Sequence, residues 1–210
     1  GLSAVYDIVI KTQDEFEALI ASETWLGATS VALVGQFTYS EENNSGIKVP
    51  DTVRQIHGFN RAKITITNFK YNASTAKGGL WYNTRPTTPD YSIRDLEVDC
   101  TGDFGYGFSN CNNLSNCTGT GTGTFGGGFF YCTNLTNCTG TGTGVYVGNG
   151  FAGCTNLTNC KGTGKGTGTG ASGGGFSSCT NLTNCTGTGT GDYGYGFSYI
   201  TTASNCRDGG

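Results

Sequence analysis

The sequence predicts an all-β fold: a parallel β-solenoid (β-helix) with a short N-terminal capping helix. Three observations carry this. Residues 101–210 repeat with a fixed internal spacing, the glycines there are periodic, and residues 1–30 read as a lid for one end of a stack.

Four columns define the repeat. Phe108, Phe129, Phe151, Phe176 and Phe197 open it. Three residues later stand Cys111, Cys132, Cys154 and Cys179, with Ile200 in the last copy. Leu114, Leu135, Leu157 and Leu182 follow, then Ala203, and after another three residues Cys117, Cys138, Cys160, Cys185 and Cys206. Cys100 aligns at the head of this last column. Successive second cysteines are then 17, 21, 22, 25 and 21 residues apart, about one rung each, with length changes confined to the segment after the cysteine. A further column, four residues before the phenylalanines, holds Phe104, Phe125, Val147, Ser172 and Tyr193. A spacing of three is not strand alternation, so part of each rung is expected to be bent or polyproline-like. Such a stripe is buried only when copies stack.

The cap comes first in the chain. Val5, Ile8 and Ile10 suit a short strand, and Thr12-Gln13-Asp14-Glu15 has the form of a capping box. Phe16, Leu19 and Ile20 follow at helical spacing, predicting a helix that ends near Ser22, with Trp25 and Leu26 packed beneath it. Strand-like runs follow at 31–38, 46–50, 53–59 and 63–69. This order of helix and short rungs over roughly residues 10–70 resembles the opening of right-handed parallel β-helices such as pectate lyases and phage tailspikes. The F-x-x-C-x-x-L-x-x-C skeleton also resembles short bacterial surface leucine-rich repeats, with Thr-Gly-Thr-Gly in place of their Ile-Pro segment. Residues 70–90, with Gly78-Gly79, Pro86 and Pro89, read as an excursion. Ile93–Cys100 alternates as one strand, Leu96, Val98 and Cys100 on one face and Asp95, Glu97 and Asp99 on the other. One continuous domain is expected: cap at 1–30, irregular early rungs at 31–100, and regular Cys/Gly/Thr/Asn-rich repeats at 101–210.

Charge is unevenly spread. Residues 1–100 hold nine Lys/Arg and twelve Asp/Glu, and 101–210 only three of each, so no nucleic acid partner is expected. No apolar run is long enough for membrane insertion, and no signal peptide is visible. Methionine is absent, which suggests a processed product or excised fragment.

Ten cysteines raise bridges and metal sites. Cys-x5-Cys is not a zinc-knuckle spacing, and the single histidine, His57, lies outside the array and reads as structural; no metal or other cofactor is expected. Ile200 at a cysteine position favours packing thiols over disulfides, although rungs stacked ~4.8 Å apart permit bridges. The asparagine columns (Asn113, Asn134, Asn156, Asn181; Asn116, Asn137, Asn159, Asn184, Asn205) include N-x-[ST] matches but read better as a stacked amide ladder than as glycosylation at every rung.

Thr-Gly alternation places Thr118, Thr120, Thr139, Thr141, Thr186 and Thr188 on one face as a hydroxyl-and-methyl surface, the binding candidate. No catalytic constellation is present; the weak alternative is the carboxylate row Asp95, Glu97 and Asp99, a pattern glycosidases use and solvated strands use more often. The expected function is a structural and binding module of an extracellular or virion appendage, a phage tail fibre or tailspike or a bacterial surface adhesin. Its partner would be a cell-surface glycan or receptor, with a homotrimer or fibre of further copies as the self-contact. A polysaccharide-degrading enzyme and an ice-binding solenoid are the rivals. Lys161, Lys165 and the longer third array rung are expected to roughen the middle of the threonine face, which ranks ice below adhesion.

Overall fold

The computed structural model describes residues 1–21, 25–72 and 78–209. They form a parallel β-solenoid of about nine turns, with one α-helix, near the N-terminus.

The helix, Gln13–Ala21, closes one end. The Glu15 N–H donates to Thr12 Oγ1 at 3.2 Å, and Glu15 Oε2 accepts from the Lys11 N–H at 2.7 Å, so the capping box forms one residue out of its usual register. Phe16 stacks on Phe37 with ring centroids 5.0 Å apart, seating the helix on the first full rung. Ser22, the expected helix end, lies outside the described residues. Trp25 is buried as expected, but Leu26 is 60% exposed. The positive φ of Gly27 and the bond from the Ala28 N–H to the Trp25 carbonyl make a tight turn, and Leu26 sits at its tip.

The early rungs correct three expectations. The runs at 53–59 and 63–69 are one strand, Gln55–Phe69, bent where Asn60 and Arg61 take left-handed φ of 54° and 55°. The 70–90 excursion contains a rung segment: Leu80–Trp81 pairs in parallel with Ile47–Lys48 and with Phe108–Ser109. Gly78 and Gly79, at φ 81° and 61°, turn the chain against the backbone of residues 104–107, where a Cβ has no room. Finally, Ile93–Cys100 is two strands, Ser92–Arg94 and Glu97–Gly102, separated by Asp95 at φ 55°.

The array stacks in the expected register. Phe108, Phe129, Phe151, Phe176 and Phe197 pair in sequence, their rings 4.8–5.2 Å apart and within 5° of parallel. The first four are fully buried; Phe197, in the last rung, is partly so. The leucine column extends back to Ile93, which pairs with Leu114. Cys100, however, does not head the second cysteine column. Thr118 pairs with Glu97, so Leu96 stands beneath Cys117, and Cys100 pairs with Gly121. With Leu96 in the column, the 17-residue step of the sequence alignment becomes an ordinary rung.

The three-residue spacing has a physical cause, and it is not polyproline. Every array rung bends three times at left-handed residues: Asn110, Asn113 and Asn116 in one, and Tyr131, Asn134 and Asn137 in the next, with φ between 50° and 59°. Each corner is followed by one inward residue, so Phe, Cys, Leu and Cys point to the core at every third position. Non-glycine residues pay about 1–2 kcal/mol in this conformation and asparagine the least, which accounts for the asparagine columns. An amide ladder joins part of the first asparagine column: Asn156 Nδ2 donates to Asn134 Oδ1 at 3.1 Å and Asn181 to Asn156 at 3.0 Å. Asn134, however, donates to Asn112 Oδ1 at 2.9 Å in place of Asn113, whose Nδ2 donates to the Tyr91 carbonyl at 2.7 Å.

Along its length the solenoid flattens. One inward column runs Phe37, Ile64, Val98, Gly119, Gly140, Gly162 and Gly187; the next runs Tyr39, Ile66, Cys100, Gly121 and Gly142. From residue 119 onward the wall opposite is also glycine, and the two backbones touch. A Cβ on Gly121 would lie 1.7 Å from the Gly105 carbonyl oxygen, and one on Gly142 2.2 Å from that of Asn149. Each array rung therefore has a filled lobe of Phe, Cys and Leu and a thin lobe of two glycine walls.

Candidate functional site

The thin lobe needs glycine inside, and this leaves its outer face free to carry any side chain that favours a strand. Two outward columns cross the array. Thr118, Thr139, Lys161 and Thr186 form one; Thr120, Thr141, Thr163 and Thr188 form the other, unbroken over four rungs. A third, Thr122, Thr143, Lys165 and Thr190, borders them. The threonines are half-buried to exposed. Thr163 belongs to the face and was not among the sequence candidates, although its Thr-Gly context matched.

The longer third rung does not roughen this face. Lys161–Gly166 keeps register with both neighbours, and the extra residues loop out beyond it at 167–171. Lys161 and Lys165 do lie on the face, one on each side of Thr163.

Toward the N-terminus the same columns become charged. Glu97 and Asp99 stand beneath Thr118 and Thr120, with Lys63 and Thr65 beneath them in turn. Lys63 Nζ lies 3.6 Å from Glu97 Oε1. Burial, opposed by Lys63 and reinforced by Glu97, raises the Asp99 pKa. Asp95 does not join this row: it occupies the corner column of Asn116, each donating its N–H to the rung above. The carboxylate row is thus two residues, paired to a lysine on an open sheet. Among the described residues, no group of three or more His, Cys, Asp or Glu side chains is arranged to hold a metal ion.

His57 is buried in the early rungs. Tyr6 Oη lies 2.7 Å from its Nδ1 and Ser92 Oγ 2.8 Å from its Nε2, tying the N-terminal cap to two successive rungs. Burial, then the neighbouring Arg94, lowers its pKa to about 4, with Asp95 opposing. A ring held neutral and 5% exposed is a structural tie; the recesses at the cap and at the Glu42–Asp103 corner do not reach it.

All ten cysteines are thiols, nine of them buried. Each buried Sγ in the array's filled lobe lies near two backbone carbonyls, as Cys132 does with Phe130 at 3.6 Å and Phe108 at 3.7 Å. Burial pushes the Cys111 and Cys154 thiols up and that of Cys100 to about 12, so they are poor nucleophiles.

Of two further features, one had no sequence signal and the other only the repeat column that holds Phe104 and Phe125, because each also joins residues of unlike type across rungs. On the second wall, Tyr106 and Tyr195 lie over Gly127 and Gly174, converging on Asn149; Tyr195 Oη donates to Asn149 Oδ1 at 3.4 Å. At the corner beyond the threonine face, Tyr71, Phe104, Phe125 and Tyr146 form an aromatic stripe. No helix among the described residues is long and apolar enough to cross a membrane. No protein-family model matches the chain, and comparison with curated proteins and with solved structures returned no match.

Proposed function

We propose that this chain is a structural and binding module of an extracellular or virion appendage, a tail fibre, tailspike or surface adhesin, whose rod contacts a cell-surface glycan or receptor. The observation that carries the reading is the unbroken column Thr120, Thr141, Thr163 and Thr188, flanked by parallel columns on a sheet whose interior is backbone against backbone. A wall of that kind is stiff, and its hydroxyls repeat at ~4.8 Å along the axis. Many weak, evenly spaced contacts on a rigid support suit a repetitive partner, because ordering entropy is already spent in folding. The likeness of residues 10–70 to the opening of tailspike and pectate-lyase β-helices points the same way by analogy.

The test is binding of the labelled chain to whole bacterial cells and to isolated envelope fractions. Saturable binding, weakened by Thr141→Lys and Thr163→Lys, is expected; absence of binding to every cell type tried would sink the reading. One observation favours a second reading. The loop at 167–171 leaves the threonine columns in register, so the backbone of the face, with Lys161 and Lys165 still on it, is more regular than the sequence implied and favours a lattice such as ice. Thermal hysteresis of the purified chain, abolished by Thr141→Tyr, would move the assignment there.

A further inference from the structure

The corner beyond the threonine face carries a second surface of different chemistry. Its aromatic stripe runs along the rod axis with centroid steps of 4.5, 4.7 and 5.8 Å from Tyr71 to Tyr146. The central pair, Phe104 and Phe125, is stacked within 7°. The end rings turn away from that stack: Tyr71 is tilted 46° from Phe104, and Tyr146 48° from Phe125. Packing accounts for the central pair. It does not account for Tyr146, which is 59% exposed beside Val145, itself 49% exposed. A tilted, exposed tyrosine presents its ring face, whose negative quadrupole receives C–H groups.

A polar recess adjoins the stripe. Glu42, Asn43, Asn68, Lys70 and Asp103 line a volume of about 330 Å3 with Phe69 at its base. Lys70 and Asp103 immediately precede Tyr71 and Phe104 in the chain, so recess and stripe meet at one edge. The volume is at the lower end of small-ligand sites. Carboxylates and amides there offer paired acceptors and donors, the set that alternating hydroxyls require. Two carboxylates against one ammonium make the recess unfavourable for an anionic ligand.

We propose that this corner is the principal seat of a neutral glycan chain lying parallel to the rod axis. Its terminal sugar enters the Glu42–Asp103 recess, and a later sugar packs its C–H face on Tyr146. Thr122 and Thr143 border the strip and supply hydroxyls along the intervening rungs. The near-balanced charge of residues 101–210 fits an uncharged polymer better than a nucleic acid or an acidic peptide. The proposal rests on reading the rod as a binding module and assigns that module's partner and seat.

The experiment is affinity electrophoresis of the full chain through native gels. Gels contain dextran, mannan, galactomannan or xylan as neutral probes and alginate or hyaluronan as polyanions. Retardation by at least one neutral polymer and by neither polyanion is expected. Tyr146→Ala and Asp103→Asn, both on exposed side chains, should each weaken it about tenfold with an unchanged circular dichroism spectrum. Retardation that survives in both variants but is lost in Thr141→Lys overturns the seat and leaves the binding module standing. Equal or stronger retardation by a polyanion overturns the neutral class. Cell binding without retardation by any polysaccharide overturns the glycan, and absence of both overturns the module as well.

Discussion

Replacing Gly142 by alanine tests the flattened architecture, because two rules give opposite signs. In a strand at ordinary φ, glycine to alanine normally stabilises by about 0.4–1 kcal/mol through the unfolded chain. Here the added Cβ would lie 2.2 Å from the Asn149 oxygen, 2.5 Å from the Gly126 oxygen and 2.6 Å from the Asn149 nitrogen. All three are backbone atoms held in ladders, so no rotamer change relieves the contact. The walls must part by about an ångström, the scale of overpacking that costs about 3 kcal/mol. For a chain of this size that is a fall in Tm of about 6–12 °C. Thr141→Ala, on the neighbouring outward residue, should shift Tm by a few degrees at most. The assay is thermal unfolding followed by circular dichroism, with amide hydrogen exchange to place the damage in the rungs on either side. A Gly142→Ala chain as stable as the parent would mean that the walls do not touch, and the reading of the thin lobe would fall with it.

The other expectations concern the lobe, the corners, the thiols and the histidine. Phe151→Ala, which removes a fully buried ring from the middle of a stack, should cost about 3–5 kcal/mol in denaturant unfolding. At the φ 60° corner, Asn156→Ala should cost about 1–2 kcal/mol while Asn156→Gly stays close to the parent; equal effects would show that the amide ladder matters more than the backbone. Alkylation of the unfolded, unreduced chain followed by mass analysis should count ten free thiols, and native protein should react slowly at the nine buried ones. Finding all ten oxidised would refute the packing role. For His57, a folded pKa of about 4 against 6.5 unfolded means that the unfolded state binds the extra proton. Its contribution is therefore full above pH 6.5 and lost as pH falls toward 4. At 1.36 kcal/mol per unit the shift corresponds to about 3 kcal/mol, brought to about 2 by solvent screening in this outer layer. Denaturation midpoints measured across that window should fall with pH in the parent and stay flatter in His57→Gln.

The array was legible because its period is carried by side chains that must stack. The Phe and Leu columns are evident from residue type alone, and the structure pairs them residue for residue. What stayed hidden was backbone conformation. Three-residue spacing was visible, but only the left-handed φ of the asparagines explains it, and the same conformation at Asp95 broke a strand that alternated cleanly in sequence. Cys100 misled for a related reason. Matching it by residue type gave a short rung, whereas hydrogen-bond register puts Leu96 in the column and Cys100 opposite Gly121. Of the aromatic stripe only Phe104 and Phe125 stood in a repeat column; Tyr71 and Tyr146 fall outside it and meet those rings only across rungs.

The same geometry separates what holds the rod together from what it shows to its surroundings. In the filled lobe every inward residue is specified by its neighbours above and below, so a change there propagates along a column. In the thin lobe the inward residues are already reduced to glycine, and the outward ones touch no core at all. Lys63, Glu97, Thr118, Thr139, Lys161 and Thr186 succeed one another in a single column without disturbing its register. Strand propensity alone asks for β-branched residues there. It does not require the adjacent column to be threonine in four consecutive rungs when its neighbours vary in charge and length. The thin lobe is therefore where sequence can change at little cost in stability, and a repeat kept there is a better guide to binding than the more regular columns of the core.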